Sequence, residues 1–384
     1  MKHAFFLAWR YLFAHRWISI VLCLASSVAI FLPLMTYFSA DLLAEKLRER
    51  GQSTPILVGH KGNEFDLTMN SLYFRGKNKD PVSMQLYQEL SQQSYGTIIP
   101  LYVSHTASQS PIVGTNIDYF SLRDLEIKEG RLFTVLGEVV AGSEIAAEFN
   151  IQVGDKIRSD MQNLYNISGA YPMILEVVGI LEPKNGQDDR AFFADVNTIW
   201  ALDGIFHGHE EVTKDNSLNP MNSEENLEAT AAIFMFSEIT EKTRTGFHLH
   251  GSPSDLPLSA VAIFPRTQQE HDIALGDLAL SEQFQAVRPV QVVETILEIV
   301  LRIQQGLSVF FFSILCSTIA FFALVMILSL QLRSDELRLM KRIGGSKQTI
   351  RRMILAQIAI ILSIAVFLSI LATIGVQQIL EQVL

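Results

Sequence analysis

Three long stretches of this chain carry no charge at all. Trp17 to Phe38 runs 22 residues, Leu307 to Leu332 runs 26, and Met353 to Leu380 runs 28. Each exceeds the ~20 apolar residues that a helix needs to cross a ~30 Å hydrocarbon core. Lipid leaves no solvent to satisfy a backbone, so such stretches can only be helices there. The charged share, 18% of 384 residues, is low because apolar residues concentrate in these three places. The first stretch is longer than the apolar part of a secretory signal, and its only candidate cleavage site, Phe38-Ser39-Ala40, has a bulky residue where a small one is wanted. It reads as a retained anchor. Both cysteines, Cys23 and Cys316, lie within these spans, so the region between must fold without a disulfide.

Flanking charge sets the orientation. Lys2, Arg10 and Arg16 precede the first span, and seven basic residues against two acids fill Arg333–Arg352. Basic loops stay in the cytoplasm, which puts the region between spans one and two outside. That region holds 20 basic and 37 acidic residues, a net charge of about −17 within a whole-chain charge of −10. Such a balance speaks first to solubility. No nucleic-acid partner is expected.

The expected architecture is an α-helical membrane protein with three predicted transmembrane helices, two extended as stalks, and a large mixed α/β extracytoplasmic domain. Its segments read as a cytoplasmic N-terminus at 1–16, spans at 17–38, 307–332 and 353–380, stalks at 39–54 and 289–306, and an outer domain at 55–288 with two subdomains. Leu43, Leu47 and Arg50 fall at helical spacing beyond span one, as do Val293, Ile296, Leu297, Val300 and Ile303 after Pro289. Ordinary juxtamembrane helices would show the same spacing. Inside the outer domain the patterns predict helices at 82–93, 143–150 (capped by Ser143) and 267–280. They predict strands at 98–103, 138–142, 174–181, 231–237 and 258–264, a turn into a strand at 153–157, and a long polar loop at 203–228.

Catalytic motifs are missing. Gly344-Gly345-Ser346-Lys347 lacks the strand and spacing of a phosphate-binding loop, and His209-Glu210-Glu211-Val212-Thr213 lacks the second histidine of a zinc-protease motif. Two histidine groups remain, His207 with His209, and His248 with His250. Imidazoles beside a carboxylate bind zinc or copper, but no spacing here matches an established site pattern, and two polar surface stretches that happen to hold histidine are the plainer reading. The segment 333–352 is more distinctive. Leu337, Met340 and Ile343 fall on one side of a short helix, and Arg338, Lys341 and Arg342 on the other. Gly344-Gly345 breaks that helix and Ser346 can cap the next.

Four features together resemble the MacB/LolC/FtsX-like ABC transporter permeases. They are the span–domain–spans layout, Glu129-Gly130-Arg131-Leu132-Phe133 followed by Glu138 to Ala146, the strand Leu175 to Leu181, and the segment Arg333 to Arg352. The resemblance implies a MacB-like periplasmic core domain in a bacterial inner membrane protein. It implies that Glu336, Leu337, Arg338, Met340, Lys341, Arg342, Ile343, Gly344, Gly345 and Ser346 form a coupling element that docks on a separate ATP-binding subunit. ATP and magnesium would then sit on that partner and no cofactor on this chain; zinc at the histidines is an alternative read from those residues alone, not from the resemblance. Other partners implied are a second permease copy, identical or related, the lipid bilayer, and a periplasmic adaptor or substrate protein. Motion driven by ATP would serve export or extraction, or alternatively switch an outer partner without transport. Members usually have a fourth span. Three spans leave the C-terminus outside, which fits a shortened chain or an unusual member.

Overall fold

The computed structural model of the chain describes residues 2–76, 80–161, 172–208, 236, 238–240, 242–249, 252–342 and 346–383. They fall into two compact units, Met1–Lys46 with Thr295–Leu384, and Leu47–Glu294. In chain order the helices are α1 (Lys2–Ala14), α2 (Arg16–Gln52), α3 (Glu64–Tyr73), α4 (Met84–Ser91), α5 (Asp118–Leu122), α6 (Ser143–Glu148), α7 (Val196–Leu202), α8 (Gln268–Ala279), α9 (Pro289–Leu332), α10 (Ser334–Arg342) and α11 (Lys347–Val383). The strands are β1 (Ile56–His60), β2 (Val82–Ser83), β3 (Thr97–Ala107), β4 (Ser110–Thr115), β5 (Ile127–Gly130), β6 (Glu138–Ala141), β7 (Lys156–Arg158), β8 (Ile174–Leu181), β9 (Phe192–Asp195), β10 (Phe206–Gly208), β11 (Phe247–Leu249), β12 (Pro257–Leu258), β13 (Ala260–Phe264) and β14 (Phe284–Val287).

The first unit is helical. Among the described residues α2, α9 and α11 are long and apolar enough to cross a membrane. Small and hydroxylated residues bring α2 and α11 together: Ser27 is buried and its hydroxyl donates to the Ala365 carbonyl oxygen at 2.9 Å. Apolar helices cannot separate lipid from one another by hydrophobicity, so close packing and such hydrogen bonds do the work. The apolar window of α9, by contrast, has no buried residue. The N-terminal segment, expected only as a cytoplasmic tail, is the helix α1, which packs on α11 through Ala8, Met353 and Ile360.

The second unit is built on one ten-stranded mixed sheet. Its order is β14-β1-β13-β3-β4-β9-β6-β8-β5, with β7 also pairing with β8. The β4/β9 and β6/β8 pairs are parallel. The central strands β6, β9 and β13 read Glu-Val-Val-Ala, Phe-Phe-Ala-Asp and Ala-Val-Ala-Ile-Phe, and are buried along nearly their whole length. Continuous apolar runs of this kind mark strands covered on both faces. Strand β3 is the long member: Thr97–Leu101 pairs with β13, and from Tyr102 onward the same strand pairs with β4.

Several expectations are corrected. The helix at 82–93 begins only at Met84, because Val82 and Ser83 pair with β12. The strand at 98–103 extends to Ala107. The strand at 258–264 is divided at Ser259, whose hydroxyl accepts the Val103 amide at 2.9 Å. Ser143 is the first residue of α6, and the cap is Gly142. A side chain at 142 would place its Cβ 2.3 Å from the Asp189 carbonyl oxygen, so the chain passes too closely for any other residue. The polar loop expected at 203–228 contains β10 at Phe206–Gly208, paired to β11. Its remainder at 209–228, and the strand expected at 231–237 except Phe236 at its end, lie outside the described residues.

Candidate functional site

The basic segment after α9 folds as a short amphipathic helix. Arg333 stands between α9, which ends at Leu332, and α10, which begins at Ser334. Arg333 is buried, and its guanidinium lies 3.5 Å over the ring of Tyr11 on α1, a cation–π contact. The Tyr11 hydroxyl in turn lies 2.7 Å from that of Ser329. One side of α10 is seated: Leu337 packs against the Ala8, Met353 and Ile360 cluster. The other side is open. Leu339 is 58% exposed, Arg342 is exposed, and Arg338 meets solvent with Asp335 at 3.4 Å for company. Such an exposed i,i+3 pair holds the helix together only weakly. Ser346 accepts the Thr349 amide at 3.2 Å and so caps α11. Glu336, Met340 and Lys341 belong to α10, with side chains outside the described set; Ile343, Gly344 and Gly345 lie outside the described residues.

The histidine groups come together in part. His207 and His248 are directly opposed on β10 and β11. Nδ1 of His248 lies 3.0 Å from the Gly246 carbonyl oxygen, which puts a proton on that nitrogen. His209 and His250 lie outside the described residues. Among the described residues no three metal-ligating side chains converge.

Sequence reasoning missed the charged cluster at the end of α2. Arg50 there is buried and grips Asp188 through both terminal nitrogens, one at 2.9 Å. Its Nε donates to the Leu72 carbonyl oxygen at 2.8 Å. The Tyr119 hydroxyl donates to Asp188 at 2.7 Å, and Arg123 stands 3.7 Å from the same carboxylate. Arg123 also donates to Ser53 and to Thr54, the residues that follow α2. Burial works against the charge on Arg50, but Asp188 and Tyr119 outweigh it and hold the pKa above its ordinary value. Burial likewise pushes the Asp188 carboxyl up, and the two guanidiniums pull it below the usual range. Burial drives the Tyr119 hydroxyl up to about 12. The result is an interior ion pair with its remaining hydrogen-bonding capacity largely used, the condition under which a buried pair is tolerated.

The outer-domain motifs have a structural cause. Gly130 and Gly179 are register partners on β5 and β8. Gly130 has φ +82°, and a Cβ on Gly179 would come within 2.2 Å of the Arg131 carbonyl oxygen. Arg131 reaches across to Glu138, one bond measuring 2.7 Å, and the Thr134 amide donates to the same carboxylate at 2.8 Å. Burial alone would raise the Glu138 pKa, but Arg131 and the amides of Thr134 and Val135 bring it down to about 2.

Two family models match the chain: a MacB-like periplasmic core domain over residues 20–226 and an FtsX-like permease C-terminal region over residues 308–384. No curated protein matches. Among solved structures, the chain is similar to the periplasmic region of MacB from Actinobacillus actinomycetemcomitans, at 14% identity over 65% of this chain and 97% of that one, with a TM-score of 0.35. It is also similar to the extracellular domain of the noncanonic ABC-type transporter YknZ from Gram-positive bacteria, at 12% identity over 60% of this chain and 98% of that one, with a TM-score of 0.33. Those scores carry no argument of their own; the family models do. The first of them alone spans more than half of the 384 residues, and with the permease model following it, the chain belongs to the MacB/FtsX-like ABC transporter permease family.

Proposed function

We propose that this chain is the non-catalytic membrane subunit of an ABC assembly, and that it passes the motion of a separate ATP-hydrolysing subunit to an extracytoplasmic domain. The observation that supports the reading is α10. A nine-residue helix sits between two long apolar helices, with Leu337 packed on α1 and α11 and with Leu339, Arg338 and Arg342 presented to solvent. A helix seated on one face and open on the other can accept a partner and hand its displacement to the helices beneath it. Simple anchoring by charge needs basic residues but no seat. On this reading α2, α9 and α11 cross the inner membrane with α10 in the cytoplasm, and α2 and α9 continue beyond the bilayer as stalks. Two copies of the permease, or this chain with a related one, flank a pair of ATPase subunits, and ATP with magnesium binds there.

Co-purification tests the reading. The tagged full chain extracted from its native membrane should bring a separate ATPase with it. Leu339→Asp, or Arg338→Glu with Arg342→Glu, should lower the recovered ATPase at least tenfold, about the worth of one well-made charged contact. Retention of the ATPase through both changes, with the chain still folded, overturns the role of α10.

A further inference from the structure

A cleft of about 370 Å³ opens in the second unit, well apart in sequence from α10. Its wall is apolar, formed by Phe133, Val135, Leu136 and Phe206, and two charged side chains, Arg244 and Asp195, also line it. The size lies within the ~300–1,000 Å³ range of small-ligand sites, and the make-up of apolar wall with a few polar groups is also theirs.

Arg244 is the unexplained member. Its Nε is closed off from solvent and meets no hydrogen-bond partner, and among the described residues its guanidinium makes no ion pair. Every other guanidinium singled out in this unit is matched: Arg50 and Arg123 by Asp188, Arg131 by Glu138, Arg190 by Glu144. An unmatched buried donor is costly and rare enough in folded proteins to call for a cause. The geometry of the guanidinium fork suits a carboxylate, which it can take in two parallel bonds. Asp195 accepts the Asn197 amide at 2.9 Å and the Asn197 side chain, both through Oδ1. Its Oδ2 makes no bond among the described residues, which leaves it able to accept an N–H from a ligand.

We propose that this cleft binds the carboxylate end of a short apolar peptide. The carboxylate pairs with Arg244, a main-chain N–H is taken by Asp195, and apolar side chains lie on the wall of Phe133, Val135, Leu136 and Phe206. A plain anionic amphiphile satisfies Arg244 but brings no donor for Asp195 and sets a second negative charge beside it. A peptide amide offers the donor but no charge for Arg244.

The test is calorimetric titration of the full chain in lipid nanodiscs with the tripeptide Leu-Phe-Leu as free acid, as C-terminal amide, and with decanoate. The free acid should bind, and the amide should bind at least tenfold more weakly, in line with the loss of a charge-assisted pair. Arg244→Gln should weaken the free acid as strongly and leave the amide unchanged. Asn197→Trp, at an exposed lining position, should block the cleft without disturbing the core. Equal binding of acid and amide, binding that survives Arg244→Gln, or binding of decanoate without the tripeptide overturns the proposal.

Discussion

Arg50 and Asp188 are separated by 138 positions, and nothing in the spacing around either announces the other. The sequence offered Arg50 only as the end of a helical pattern. Its partner lies in a Gly-Gln-Asp-Asp-Arg turn that carries no periodicity. Such pairs are legible only once the fold is known. Arg50→Met should destabilise the second unit by roughly 3–5 kcal/mol, because Asp188 is left buried beside the more distant Arg123. Replacing both, as Arg50→Met with Asp188→Leu, should recover most of that loss, as denaturant melts of the full chain would show. Glu138 makes a second case at the same scale. Its folded pKa, about 2, is below its unfolded 4.5, so its contribution is complete above pH ~4.5 and drains away as pH falls toward 2. Arg131 is half-exposed, and solvent there screens the pair, which leaves on the order of 2 kcal/mol. Glu138→Gln should therefore flatten the acid limb of a stability profile between those pH values and lower the plateau above it.

At the scale of elements, the sequence served well where a pattern is local. The strand at 174–181 occupies those residues, and the helix at 267–280 is α8, capped by Thr267. Strands β1, β4 and β9 went unread because each is a short apolar run, and such runs do not by themselves separate strand from buried helix. Helix α1 was unread for another reason. Charge led the reading of residues 1–16, and the apolar face that includes Ala8 gains its meaning only from α11. The glycines of the outer-domain motifs looked like family markers and turn out to be register partners on the paired strands β5 and β8. Gly179→Ala should cost about 1–3 kcal/mol, since the new methyl must displace the Arg131 carbonyl or push the strands apart. A lowered melting midpoint with an unchanged denaturant slope would check it.

For the whole molecule, the apolar stretches and the positive flanks carried the reading. They gave three long helices, a basic segment that folds as α10, and a large mixed α/β domain between, the combination that the family models match. The sheet order was beyond reach, since pairing between strands as distant as β1 and β14 rests on packing, not on any neighbouring signal. Strand β3 runs through both halves of that sheet, paired first with β13 and then with β4. Leu101 hydrogen-bonds toward β13 and Tyr102, the next residue, faces β4. A strand held by different neighbours along its length ties the two sets of pairings into one. Heat or urea should therefore take the domain apart in a single step, and amide exchange along 97–107 should be governed by that one event, so that a tug on either flank of the sheet is felt by all of it.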